Sequence, residues 1–494
     1  MKSVLGIDVG TQSTKVIIYD FENKKIVAES SHSHDIISDN DGTKEQKAEW
    51  WIEAIKICLN EINSEIKKSV VAIGVSGQQH GFVPLDADGN VLYNVKLWCD
   101  TSTDKECKVI TEKFGGKDKL VSEIGNEILP GYTASKILWF KNNKPELYNK
   151  METILLPHDY INYYFTGNLD MEFGDASGTG LLNIESRTWN QEILNVIDPD
   201  RDLCSCLPEL IKSYDAAGIL KDDVAEDLGL NSGTIVSSGG GDNMMGAIGT
   251  GATKQGKMTA SLGTSGTLFG FSKTPIIDED LASFCSSTGG WLPLLCTMNC
   301  TVGLELTRKL LRKDLNEVNS LVKETEIGSS GIITLPFYNG ERAPNFPNGK
   351  GCIMGLTPDN MSEGNLLRSS MEAAIFGLKY GLELFIKNGF IPSEITITGG
   401  GAKSSFWRQM AADILNTPIK TVEVEEAAAF GGAIQALLAY ESLTENIDIN
   451  DLINEHLCVD DNKKHFPNEN AVKAYEPVYS KYKQYVASVT KMFE

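Results

Sequence analysis

Residues 4–9 form a short apolar run broken only by Gly6 and Asp8, and residues 15–19 form a second. A polar, glycine-containing stretch at 10–14 separates them. After a turn at 21–25, a third run at 26–29 completes a predicted hairpin meander, not a strand followed by a long crossover helix. Residues 47–62 carry Trp51, Ala54, Ile55, Cys58, Leu59 and Ile62 at one-faced helical spacing. Residues 70–75 read as a buried strand, and 87–90 as a turn between the runs 83–86 and 91–93. A helix is predicted over 131–140, interrupted by Pro145. The segment 237–251 is very rich in glycine and reads as a junction between two halves. Beyond it the opening pattern returns: 258–271 is again strand, Gly-Thr-Ser turn, strand. Two such units roughly 255 residues apart predict duplicated α/β domains facing a cleft. A strand at 394–398 ends in three glycines, with helices predicted over 404–415 and 425–440, the second holding Gly431 and Gly432 at a close-packing position. In the polar tail from 446 to 494, Tyr475, Tyr479, Tyr482 and Tyr485 predict one helical face closing the second domain.

Composition narrows the function more than the fold. The chain has 494 residues, 41% hydrophobic and 23% charged, which suits a globular protein with substantial cores. Its net charge of −22 argues against nucleic acid or an anionic membrane as a general partner. The N-terminal run contains Asp8 and two glycines, so it reads as neither signal peptide nor anchor. No uncharged run reaches the ~18–20 residues that span a bilayer. The ten cysteines are scattered without a C-x-x-C pair, which fits reduced thiols in a cytoplasmic enzyme better than a zinc cage or a disulfide framework.

Three glycine clusters carry candidate chemistry. In the segment 6–15, glycines let backbone N–H groups approach an anion, and Thr11, Ser13 and Thr14 add hydroxyls. Asp8, at a strand end, needs a hydrogen-bond partner or a cation, which a magnesium-bound phosphate would supply. An ordinary β-turn with a capping Asp also fits, but the echo at 263–266 favours two loops gripping one polyphosphate. No Walker loop occurs. Asp242, after three glycines, could take a proton from an alcohol attacking phosphorus, or simply cap the helix that follows. The cluster 398–405 could receive adenine and ribose, or form a tight strand-to-helix turn. In the loop 76–81, Gln79 and His80 suit a polyol, since both side chains donate and accept. His32 and His34 read as a surface loop, and His158 with Asp159 as packing. Neither a G-x-S-x-G elbow nor a dinucleotide fingerprint is present.

Together these pieces resemble the FGGY family of carbohydrate kinases, over almost the whole chain. Residues 131–143, with Lys136 and Trp139, match the family's first signature, and 351–372 match its second. The resemblance implies two ribonuclease-H-like domains, of the actin, sugar kinase and heat-shock ATPase fold, around a central cleft. Residues 1–245 would form the sugar and phosphate side, and 246–494 the nucleotide side. Asp242 would be the general base. Asp8 would act near Mg2+ and the γ-phosphate, with Thr11, Gln12, Ser13 and Thr264 on the phosphates. Gln79, His80, Asp100 and Asn243 would hold the sugar. Gly400, Gly401, Ala402 and Ser405, with Gly303, would line the adenosine pocket. The reaction implied is ATP-dependent phosphorylation of a ketopentose, D-xylulose first. Another ketopentose, a pentitol or a sugar acid such as gluconate is the alternative, and a partner-driven ATPase of the actin class a more distant one. The absence of arginine before Arg187 argues against glycerol. A homodimer is expected from the resemblance alone. An acidic chain would recruit the nucleotide as its magnesium complex, with backbone amides supplying local positive charge.

Overall fold

The computed structural model describes residues 1–459 and 463–493. The chain divides into two compact units. Unit 1 comprises 1–253, 273–292 and 426–457; unit 2 comprises 254–272, 293–425 and 458–494. The expected single division after residue 245 therefore differs from the chain's own packing. That position lies inside the helix Asp242–Thr250, and two later segments return to unit 1.

Unit 1 is built on a seven-stranded sheet. Its strands are Ser3–Val9 (β1), Ser13–Asp20 (β2), Lys25–Ser33 (β3), Val70–Gly77 (β4), Ala216–Ile219 (β5), Ile235–Ser237 (β6) and Gly240–Gly241 (β7). The order is β5-β6-β4-β1-β2-β3, and β7 also pairs with β4. The meander β1-β2-β3 is antiparallel, as the pattern predicted, while β1 and β4 run parallel. His32 falls within β3 rather than on a surface loop, and His34 follows it directly. The helix Ala48–Asn60 buries Trp51, Ala54, Ile55, Cys58 and Leu59, the stripe its spacing foretold. Leu5, Ile7, Val9, Val16, Ile73 and Val75 supply the sheet's side of that core.

The helix Ala427–Glu441 lies against β1, β4 and the helix Asp242–Thr250 at backbone contact. A Cβ on Gly6 would sit 2.0 Å from the Ala429 carbonyl oxygen, and one on Gly74 1.9 Å from that of Gly432. Gly431 and Gly249 are held as closely, against the Met245 and Ala427 carbonyl oxygens. The glycine run before Thr250 is thus no loose linker. It forms β7 and a buried helix.

Unit 2 repeats the opening arrangement. Lys257–Leu262 (β8) and Gly266–Gly270 (β9) are antiparallel across the Gly263–Ser265 turn. Trp291–Thr297 (β10) pairs antiparallel with β9, Glu394–Thr398 (β11) parallel with β8, and Ile419–Lys420 (β12) parallel with β11. The helix Glu363–Lys387 buries Leu367, Met371, Ala374 and Leu378. Along the helix Glu469–Phe493, Tyr475, Tyr479 and Tyr482 are buried around Phe376. Tyr485 is only half-buried, because Val489, not Tyr485, continues that i, i+4, i+7 stripe.

Candidate active site

Strand register assembles the site in unit 1. The parallel pairing of β1 with β4 sets Asp8 beside Ser76, and Ser76 Oγ donates to Asp8 Oδ1 at 2.7 Å. The pairing of β7 with β4 sets Gly241 beside Gly77, which delivers Asp242, the first residue of its helix, to the same sheet end. Burial pushes the Asp8 carboxyl up to about 6, against the Ser76 hydrogen bond and the Lys15 charge. Lys15 is itself paired with Glu426 at 2.5 Å.

Asp242 is shifted further. Burial, then the negative charges of Asp8 and Asp175, push its carboxyl up to about 7. Asn243 opposes this with two hydrogen bonds to Oδ1, from its backbone N at 2.7 Å and from Nδ2 at 2.9 Å. Among the described residues no hydrogen bond reaches Oδ2. Asn243 Nδ2 also donates to Gln79 Oε1 at 2.9 Å. That bond fixes the Gln79 amide with Nε2 as its donor end, and Nε2 is buried without a protein partner. His80 stands in the left-handed region at φ 65°, its ring packed by Tyr132 and Phe284. Its Nδ1 lies 2.6 Å from the Gly178 carbonyl oxygen, so Nδ1 carries the hydrogen and Nε2 is the acceptor nitrogen.

Other candidates turn out to be committed elsewhere. Thr11 Oγ1 accepts from Trp98 Nε1 at 2.8 Å and donates to Gln78 Oε1 at 3.1 Å. Gln78 Nε2 donates in turn to Gln46 Oε1, and Gln46 Nε2 to the Thr11 carbonyl. The Thr11 hydroxyl hydrogen is therefore spent within the fold. Thr14 is buried, with Oγ1 2.8 Å from His34 Nε2, and burial pushes that imidazole down to about 4. Gln12 is exposed and Ser13 half-buried on the same turn. Asp100 is fully buried and saturated: Oδ1 accepts from Ser102 N and Oγ, Oδ2 from Lys44 N and Lys96 Nζ. Lys96 also pairs with Glu45 and lies over the Trp139 ring.

Sequence reasoning took His158 for packing and missed its partner. His158 is fully buried, with Nδ1 2.8 Å from Asp175 Oδ2 and Nε2 2.8 Å from Asp159 Oδ1. Burial opposes the charged imidazole, but the two carboxylates prevail and hold it well above the usual range. Asp175 Oδ1 flanks Gly241, where a Cβ would meet it at 3.1 Å. Nothing local marks this pair, because Asp175 lies 17 residues on, outside the His158 helix, on a one-turn helix, Phe173–Ala176.

In unit 2 the nucleotide candidates gather round the end of β8. Thr264 is exposed on the Gly263–Ser265 turn, pinned when Cys300 N and Thr301 N donate to the Thr264 and Gly263 carbonyls. Gly303 follows at the start of the helix Val302–Leu310. Gly399, at φ +84°, crosses the Leu262 backbone, and a Cβ on Gly401 would meet Leu262 at 2.8 Å. Nothing lies within 4 Å of the Cβ position of Gly400, so that face is open. The Ala402 carbonyl accepts from Arg408, and Ser405 Oγ lies 3.1 Å from His465 Nε2.

Comparison with known proteins identifies the family. Residues 3–249 match the N-terminal domain, and 258–440 the C-terminal domain, of the FGGY family of carbohydrate kinases. The chain belongs to that family. It is 44% identical over 487 residues to a xylulose kinase of Haemophilus influenzae, covering 97% of this chain and 98% of that one. It is 36% identical to a xylulose kinase of Bacillus subtilis, covering 90% of each. Among solved structures, a ligand-bound xylulose kinase and a gluconate kinase, both from Lactobacillus acidophilus, each superpose with a TM-score of 0.92 at 26% identity, covering 100% of this chain and 99% of theirs. Among the described residues no helix is long and apolar enough to cross a membrane.

Proposed function

We propose that this protein transfers the γ-phosphoryl group of ATP to the terminal hydroxyl of D-xylulose, with Asp242 as general base. The observation that carries the reading is the Asp242 carboxyl itself. Its proton affinity lies near neutrality, Asn243 occupies Oδ1, and Gln79 is oriented by the same Asn243. A carboxylate tuned to about 7 is ionised enough to accept a proton near neutral pH and basic enough to take one from an alcohol. The sugar O–H proton passes to Asp242, the O–Pγ bond forms, and the bond from Pγ to the bridging oxygen breaks, releasing ADP.

Gln79, His80 and Asn243 hold the sugar. Asp100 contributes indirectly, by neutralising Lys96. Gln12 and Ser13 in unit 1, and Thr264 in unit 2, are each assigned to the phosphates, while Thr11 holds its turn through its backbone and network. Gly303, Gly400, Gly401, Ala402 and Ser405 receive the adenosine, with the open face of Gly400 admitting a flat base. Among the described residues no cluster of three or more metal-ligating side chains exists. Mg2+ would arrive on the phosphates, with Asp8 as the carboxylate that would hold it. When bound, Mg2+ would neutralise charge on the transferring phosphoryl group.

The gluconate kinase likeness raises a sugar acid as a second acceptor. A carboxylate acceptor calls for a cation, yet Gln79, His80 and Asn243 offer neutral groups. The two buried lysines of the region are bonded to protein oxygens. A coupled ADP-release assay across ketopentoses, pentitols and sugar acids tests the reading. D-xylulose should give the highest kcat/KM; a higher value for gluconate or a pentitol overturns it. A cytoplasmic homodimer is proposed with it, and sedimentation at micromolar concentration should find twice the chain mass.

A further inference from the structure

His80 is held at three points. Its carbonyl oxygen accepts from Lys136 Nζ at 2.6 Å and from Thr133 Oγ1 at 3.1 Å. Its ring nitrogen Nδ1 bonds the Gly178 carbonyl, and Tyr132 packs its ring at 4.7 Å between centroids. The left-handed backbone of His80 sets that carbonyl against Lys136 and Thr133. Lys136 answers from the helix Thr133–Asn143. It is fully buried, and among the described residues it has no ion-pair partner. The neighbouring negative charge, Asp100, is already saturated by Lys96, Lys44 and Ser102.

An ammonium buried without a salt bridge works against folding. Its neighbours on the same helix, Ile137 and Phe140, are fully buried apolar side chains, so a methionine at 136 would exchange the buried ammonium for an apolar side chain at the loss of one hydrogen bond. Burial holds the Lys136 ammonium down to about 7, so the charge is kept at a cost in stability. The one hydrogen bond it makes is to the residue that Proposed function places on the sugar. We infer that Lys136, with Thr133, is a positioning residue for the sugar site, acting through the backbone of His80. The inference rests on the assignment of His80 to the acceptor sugar. It gives the first-signature lysine a task separate from the chemistry at Asp242.

The test is a kinetic cycle on the full-length enzyme with D-xylulose and ATP, using wild type, Lys136→Met, His80→Ala and the double variant. Lys136→Met should raise the KM for D-xylulose about tenfold, the effect of losing one charge-assisted hydrogen bond, with kcat and the KM for ATP changed by less than about threefold. Its thermal midpoint should not fall. In the His80→Ala background the same substitution should add less than about twofold, because its route to the sugar is gone. An equal loss in both backgrounds overturns the inference. So does a fall in kcat and rise in both KM values accompanied by a lowered midpoint, the mark of a merely structural residue. If Lys136→Met does not fold, Thr133→Val, which removes the second donor without touching charge, must raise the sugar KM alone; no such rise is equally decisive against it. If His80→Ala lacks turnover, sugar affinity by calorimetry completes the cycle. A wild type inactive on every ketopentose defeats the proposed function instead; an active wild type with an unaltered Lys136→Met defeats only this inference.

Discussion

At the scale of single residues, the site is a study in carboxyls held away from their ordinary proton affinity. Asp242 has a folded pKa of about 7 against an ordinary 3.8, so the folded state binds more protons than the unfolded one between those values. Stability must then fall as pH rises through that window. Asp242→Asn should raise the thermal midpoint at pH 8, by the equivalent of up to about 4 kcal/mol, and should change it far less near pH 4. Calorimetry at the two pH values checks both. His158 depends on pH in the same direction, but as a group that stabilises the fold when charged rather than one that opposes it when charged. Its imidazole is raised by Asp175 and Asp159, so its contribution is complete below the unfolded value of 6.5 and fades only as pH climbs through the folded value. His158→Leu strands two buried carboxylates and should cost about 3 kcal/mol or more in chemical denaturation at pH 6. A loss below about 1 kcal/mol would show that the carboxylates relax without it.

At the scale of elements, backbone contact decides more than side-chain patterning. Gly74 sits on β4 where a Cβ would lie 1.9 Å from the Gly432 carbonyl oxygen, so Gly74→Ala must move a strand or a helix. We expect a loss of about 3 kcal/mol or more, or no soluble protein, measured by urea denaturation. Periodicity made β1, β2, β3, the helix Ala48–Asn60 and the duplication in unit 2 legible, because each repeats within a few residues. The close-packing role of Gly431 and Gly432 was legible too, since paired glycines in a helix have few other uses. The network from Trp98 through Thr11 and Gln78 to Gln46 was not. Its members lie tens of residues apart and meet only through tertiary packing. The partners of Asp100 were hidden for the same reason. A carboxylate near a candidate sugar loop reads as a ligand until the Lys96, Lys44 and Ser102 donors that saturate it are seen.

At the scale of the whole molecule, each unit carries the same strand–turn–strand opening followed by a parallel strand, and each sets its candidate residues at the end of that arrangement. The net charge of −22 surrounds both. Magnesium–ATP is itself an anion, so long-range repulsion should slow its approach at low ionic strength. Association measured by stopped flow should quicken as ionic strength rises from about 10 to about 150 mM, the range over which the Debye length shrinks toward about 8 Å. Slowing instead would reveal a local positive field strong enough to dominate the net charge.

The most direct test of the central claim is the single-turnover rate of D-xylulose phosphorylation from pH 5.5 to 9, in wild type and in Asp242→Asn. With Asp242 as the base, the wild-type rate should rise with an apparent pKa of about 7. The variant should be slower by about a thousandfold or more, with no such limb, while still binding sugar and nucleotide. A variant within about tenfold of wild type that keeps the same pH limb would contradict the account.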